Sequence, residues 1–84
     1  MLFGGIMPRI IEYEVQNIVG NKIKELRLER NMSQKELSAR LETRAVYICR
    51  GSLCRIEKHE RTVTDFELKA IAEVLGVSVA DLFE

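Results

Sequence analysis

No apolar run in this chain extends beyond a few residues, far short of the roughly 20 that a helix needs to cross a membrane. The first residues lack the basic start and long apolar stretch of a secretory signal, so a cytoplasmic location is expected. Cysteine is scarce. Cys49 and Cys54 lie five residues apart and cannot bridge within one helix, which excludes a disulfide framework. With His59 they make only three candidate metal ligands at a spacing that suits no tetrahedral zinc site, so no metal or other cofactor is expected. There is no Ser/His/Asp set, no paired-carboxylate arrangement and no glycine-rich phosphate loop. Catalysis has no candidate residues, no small-molecule ligand is evident, and the chain is read as a non-enzyme. Net charge is also absent, with 13 basic residues against 13 acidic ones in 84.

What is present is a repeated helix-start pattern. An apolar residue stands five positions before another, with a short polar residue after the first, in Met32-Ser33-Gln34-Lys35-Glu36-Leu37, Val63-Thr64-Asp65-Phe66-Glu67-Leu68 and Val77-Ser78-Val79-Ala80-Asp81-Leu82. In each, a hydroxyl can accept from the third helical amide while the acid there reaches back, and the apolar pair clamps the chain's angle of approach. A fourth frame, Ile48-Cys49-Arg50-Gly51-Ser52-Leu53, departs from the rule. Cys49 caps poorly and Ser52 replaces the acid. A helix start stripped of negative charge beside Arg50 suits a surface that meets phosphate. The same position favours a Cys49 thiolate, which raises the alternative of a redox-sensitive thiol.

Apolar spacing then predicts five short helices in an all-α orthogonal bundle. The first runs from Val19 to Arg30, ended by Asn31, and buries Val19, Ile23 and Leu26. The second runs from Gln34 to Leu41 and buries Leu37 and Leu41. A loop over 42–47 tucks Val46 or Tyr47 inward. The third runs from Arg50 to about Lys58 and buries Leu53 and Ile56. The fourth spans Asp65 to Leu75, with the stripe Leu68, Ile71, Ala72 and Leu75, and stops at Gly76. A short fifth begins at Val79 and buries Leu82 and Phe83. Residues 1–17 differ: Gly4, Gly5 and Pro8 interrupt regular structure, and Ile11, Tyr13 and Val15 alternate with acids. An irregular or strand-like extension (1–17) before a domain (18–84) is therefore expected.

Charge is distributed unevenly. Residues 20–61 carry eleven Lys or Arg against six Glu, a surplus of +5, whereas residues 62–84 carry Lys69 against five acids, a balance of −4. Such a molecule presents one side to polyanions. With Leu53 and Ile56 turned inward, residues 50, 51, 54, 55 and 58 face outward, and three of these five are basic. Solvated charge on an exposed helix would look the same in isolation.

Four segments decide between those readings: Lys22-Ile23-Lys24-Glu25-Leu26-Arg27, Met32-Ser33-Gln34-Lys35-Glu36-Leu37-Ser38, Leu53-Cys54-Arg55-Ile56-Glu57 and Ile71-Ala72-Glu73-Val74-Leu75-Gly76-Val77-Ser78. Through them, residues 20–84 resemble the helix-turn-helix domain of lambda-repressor-like (phage repressor, XRE-type) transcriptional regulators. The resemblance implies a second helix across the backbone of double-stranded DNA and a third in the major groove. It places Gln34 on a phosphate and against the recognition helix. Arg50, Gly51 and Arg55 fall where bases are read, and Ser52 and Lys58 fall on the backbone. Arg27 and Glu57 take the positions of an ion pair that latches the first helix to the third. Three residues depart from the family pattern: Gly51 has no side chain to read with, Cys49 replaces Ser or Thr, and His59 stands where Gly is preferred. The expectation is a sequence-specific DNA-binding regulator, a repressor acting as a homodimer. The alternative is an antitoxin or adaptor whose helix-turn-helix docks a protein.

Overall fold

Four helices follow one another in the computed structural model, which describes residues 15–84: α1 (Gly20–Glu29), α2 (Gln34–Glu42), α3 (Arg50–Glu57) and α4 (Asp65–Leu75). A 3-10 turn, Ala80–Phe83, completes them. No strand occurs among the described residues, and no helix there is long and apolar enough to cross a membrane. The strand-like alternation at Ile11 and Tyr13 lies outside the described residues.

The helices form where the capping residues direct them. Ser33 Oγ accepts from the Glu36 amide at 3.0 Å to start α2. Thr64 and Glu67 form a complete capping box at α4, with bonds of 3.2 Å and 2.9 Å. Glu67 also takes both arms of Arg61, at 3.1 and 3.0 Å, and these bonds hold its carboxyl below the usual carboxylate range. One apolar face of each helix then meets the others. Ile23, Leu37, Leu41, Leu53, Ile56, Ile71, Leu75 and Leu82 are fully buried, each side chain contributing about 1.5–3 kcal/mol relative to exposure. In this core α1 and α2 both pack on α3 and α4, and the 3-10 turn packs on α1.

The expected fifth helix is not an α-helix. Ser78 and Asp81 do exchange the capping bonds the sequence foresees, at 3.0 and 3.2 Å. The turn that follows closes from residue i to i+3, with Leu82 N–H on the Val79 carbonyl. One turn gains too few bonds to offset α-helix nucleation, and the tighter 3-10 geometry results. Leu82 is buried, but Phe83, expected inside, is 51% exposed. In the loop before α3 it is Val46 that turns inward, whereas Tyr47 stands in solvent.

All four α-helices end in the same way. Asn31, Ala45, His59 and Gly76 take positive φ (55°, 61°, 65° and 74°). The next amide in each case bonds back five residues, as Met32 does to the Arg27 carbonyl and Glu60 to the Arg55 carbonyl. This is the Schellman arrangement, which satisfies carbonyls a helix end would otherwise leave bare. Asn tolerates left-handed backbone and Gly adopts it freely; Ala does not. Ala45 is exposed, so no packing depends on its methyl. Ala45→Gly is expected to raise unfolding free energy by roughly 1 kcal/mol. Urea denaturation would read the gain, and an unchanged midpoint would mean the strain is absorbed elsewhere.

Candidate nucleic-acid interface

The site is built around α3, whose two ends are treated differently. At its start, Cys49 has the extended backbone of a cap residue (φ −71°, ψ 165°), but its side chain makes no capping bond and no acid lies in the first turn. The thiol instead approaches Ser52 Oγ at 3.5 Å. Bonding to Ser52, side chain first and then amide, lowers its pKa from the ordinary thiol value. The leading amides of α3 are thus left without a side-chain acceptor, unlike those of α2 and α4. Together with the helix dipole, bare amides form a ready receptor for an anionic oxygen.

At its end, α3 is locked. Arg27 donates from Nε to Glu57 Oε2 at 2.8 Å and from Nη2 to Oε1 at 3.0 Å, a two-pronged pair with both residues 6% exposed. The remaining Nη1 donates to the Met32 carbonyl at 2.7 Å. Gln34, the first residue of α2, donates from Nε2 to Glu57 Oε1 at 2.9 Å. One carboxylate at the end of α3 therefore fixes α1, the α1–α2 turn and the start of α2. Ser38 Oγ donates to the Ile48 carbonyl at 2.6 Å, holding α2 to the strand of loop that leads into α3.

A second fastening was not foreseen from the sequence. Asn17 Nδ2 donates to the carbonyls of Ile56 and Arg61 at 3.0 and 2.8 Å, and its Oδ1 accepts from the amides of Val19 and Gly20 at 3.1 and 2.8 Å. His59 adds contacts from Nδ1 to the Asn17 carbonyl (3.0 Å) and from Nε2 to Asn21 Oδ1 (3.1 Å). The readable signal was an Asn standing just ahead of an apolar-periodic run, a capping residue type. Its reach to the far end of α3 has no local signature.

Between these ends, Leu53 and Ile56 face the core with no exposure, while Arg50, Gly51, Arg55 and Lys58 lie in solvent and Ser52 and Cys54 are half-buried. Gln34 is half-buried against Glu57, beside this face. Among the described residues no ion pair engages Arg50, Arg55 or Lys58, although Arg30, Arg40, Arg44 and Arg61 are each paired with a glutamate. No group of His, Cys, Asp or Glu suited to a metal ion is found among the described residues. The arrangement can offer guanidinium forks and bare amides to phosphate and to base edges.

A model of the family described as Helix-turn-helix, the lambda-repressor or XRE type, matches residues 23–82. The chain belongs to that family. This helix-turn-helix domain is therefore a DNA-binding regulator in general terms, with a fold that serves binding rather than catalysis. No curated protein and no solved structure matches it. The match begins at Ile23 in α1 and ends at Leu82 in the 3-10 turn, so it takes in every buried apolar residue of the core except Val19.

Proposed function

We propose that the chain is a cytoplasmic, sequence-specific repressor that inserts α3 into the major groove of double-stranded DNA, with residues 18–84 as the DNA-binding domain and 1–17 as an extension. One observation carries this reading: three basic residues on the outward face of α3 have no acid partner among the described residues, on a helix whose start has no side-chain cap. Arg50 and Arg55 read bases, since a planar fork can take guanine O6 and N7 together. Gly51 brings the helix backbone close, Ser52 and Lys58 hold phosphates, and Gln34 both contacts phosphate and steadies Glu57. The protein works as a homodimer on an inverted repeat, because one such module covers too little DNA for tight and selective binding.

Arg50→Ala and Arg55→Ala are each expected to lose about 1–3 kcal/mol on the cognate site and far less on random DNA. Lys58→Ala should weaken both alike and lower the salt slope by about one. A gel-shift titration against genomic fragments at two salt concentrations checks all three. Identical behaviour of the three variants on cognate and random DNA would remove the base-reading assignment. Binding that competitor and salt erase would point instead to an adaptor or antitoxin that docks a protein.

A further inference from the structure

Tyr47 is 73% exposed, yet the residues on either side of it are anchored. Val46 packs against the core, and its amide bonds to the Leu41 carbonyl at 3.1 Å. Ile48 is buried, and its carbonyl is the one that Ser38 Oγ holds at 2.6 Å. Residues 46–49 therefore alternate, with 46 and 48 turned inward and 47 and 49 outward. An extended segment sends successive side chains to opposite sides, so Tyr47 stands on the same side as Cys49, the residue that starts α3. Both line a hollow of about 360 Å³, together with Ser38, Glu42 and Ser52. The Tyr47 hydroxyl bonds to nothing among the described residues, whereas Ser38, Thr43, Arg44 and Cys49 around it all have partners.

A ring so exposed buries little area and adds little to the fold. It does suit a contact surface. A tyrosine gives up the freedom of only two torsions when it binds, and here the backbone beneath it is already fixed. We propose that Tyr47 is a further DNA-contacting residue, its hydroxyl donating to a phosphate of the strand that meets the bare amides of α3. This rests on reading α3 as the helix that enters the duplex, and it adds a contact from the loop that precedes that helix.

The chemistry at the two points is alike, because a phenol O–H and a helix-start N–H are both neutral donors that phosphate oxygens accept from. Glu42 lines the same hollow without a basic partner among the described residues. Its carboxylate repels a phosphate from the hollow itself, so the strand is met where the exposed Tyr47 ring stands. A backbone contact carries no sequence information. A neutral donor displaces no counterion of its own, so the contact also leaves the salt dependence alone.

Gel-shift titration of Tyr47→Phe tests this, on a genomic fragment that wild type selects and on a random-sequence duplex. The dissociation constant should rise about 2- to 10-fold on both, the worth of one hydrogen bond. Salt slope and helical circular dichroism should stay as in wild type. Ethylating the contacted phosphate should weaken wild type and leave Tyr47→Phe unaffected. Wild-type affinity in Tyr47→Phe overturns the proposal, even if Tyr47→Ala is weaker, since the ring and not the hydroxyl would then make the contact. A loss confined to the selected fragment also overturns it, because it would put Tyr47 on a base. The two readings fail separately. Wild type that binds random duplex without selectivity, and more tightly than Tyr47→Phe does, sinks the sequence-specific reading alone. Selective wild type matched by Tyr47→Phe sinks this one alone, and a chain that binds neither duplex sinks both.

Discussion

Glu57→Ala should cost about 3–5 kcal/mol of folding stability, the loss measured when one partner of a buried ion pair is removed. Its carboxylate accepts three bonds, two from Arg27 and one from Gln34. Removing it leaves the Arg27 guanidinium buried with the Met32 carbonyl as its one acceptor among the described residues, and the uncompensated charge, more than the lost contact, drives the loss. The double variant Arg27→Met/Glu57→Met should therefore lose much less than Glu57→Ala alone, because no charge remains to be solvated. Urea unfolding of Arg27→Met, Glu57→Met and the double closes the cycle. Equal losses in single and double variants would mean that packing, not charge, is what this pair supplies. The pair's value to function lies in where it sits. α3 is only eight residues long and its start has no side-chain cap, so its orientation depends on the locked end that Glu57 provides.

How much of this was legible beforehand follows from the range of each interaction. The starts of α2 and α4 are local: Ser33 and Thr64 meet amides three residues on, and the pattern of hydroxyl, spacer and acid states as much. The outward placement of Arg50 and Arg55 follows equally from the apolar character of Leu53 and Ile56. Helix ends are only half readable. Asn31 and Gly76 are residue types that enter the left-handed region, whereas Ala45 does so because the loop that follows has to reach Ile48 in the core. The clasp through Asn17 is invisible to any pattern, since its partners are 39 and 44 residues away. Spacing alone puts Gln34 at a helix start without saying what it touches; the family resemblance sets it against the recognition helix, and Glu57 is the partner it has there. The fifth helix departs from its sequence pattern for the opposite reason: its cap is correct, but a cap does not make a helix when a single turn is all that follows it.

One substitution at two helical glycines should give opposite results. A Cβ at Gly20 would fall on the Ile56 carbonyl oxygen and lie 3.2 Å from Glu57 Cα. Both belong to the backbone of α3 beside the Arg27–Glu57 pair, which cannot step aside without disturbing it. Gly20→Ala is expected to cost about 2–3 kcal/mol, the scale of overpacking a filled core. That glycine exists so that α1 can approach the locked end of α3. A Cβ at Gly51 meets nothing within 4 Å, and its backbone is ordinary helix. Gly51→Ala should add about 0.5–1 kcal/mol of stability, as Ala does at an unstrained helical position. The same methyl would stand between the first turn of α3 and whatever that turn approaches, so affinity for the cognate site should fall several-fold while the fold grows stronger. Thermal unfolding and gel shifts on the two variants separate the roles. A Gly51→Ala protein that is more stable and binds DNA as well as wild type would show that this turn does not come close to the duplex, and the placement of Arg50 on a base edge would go with it.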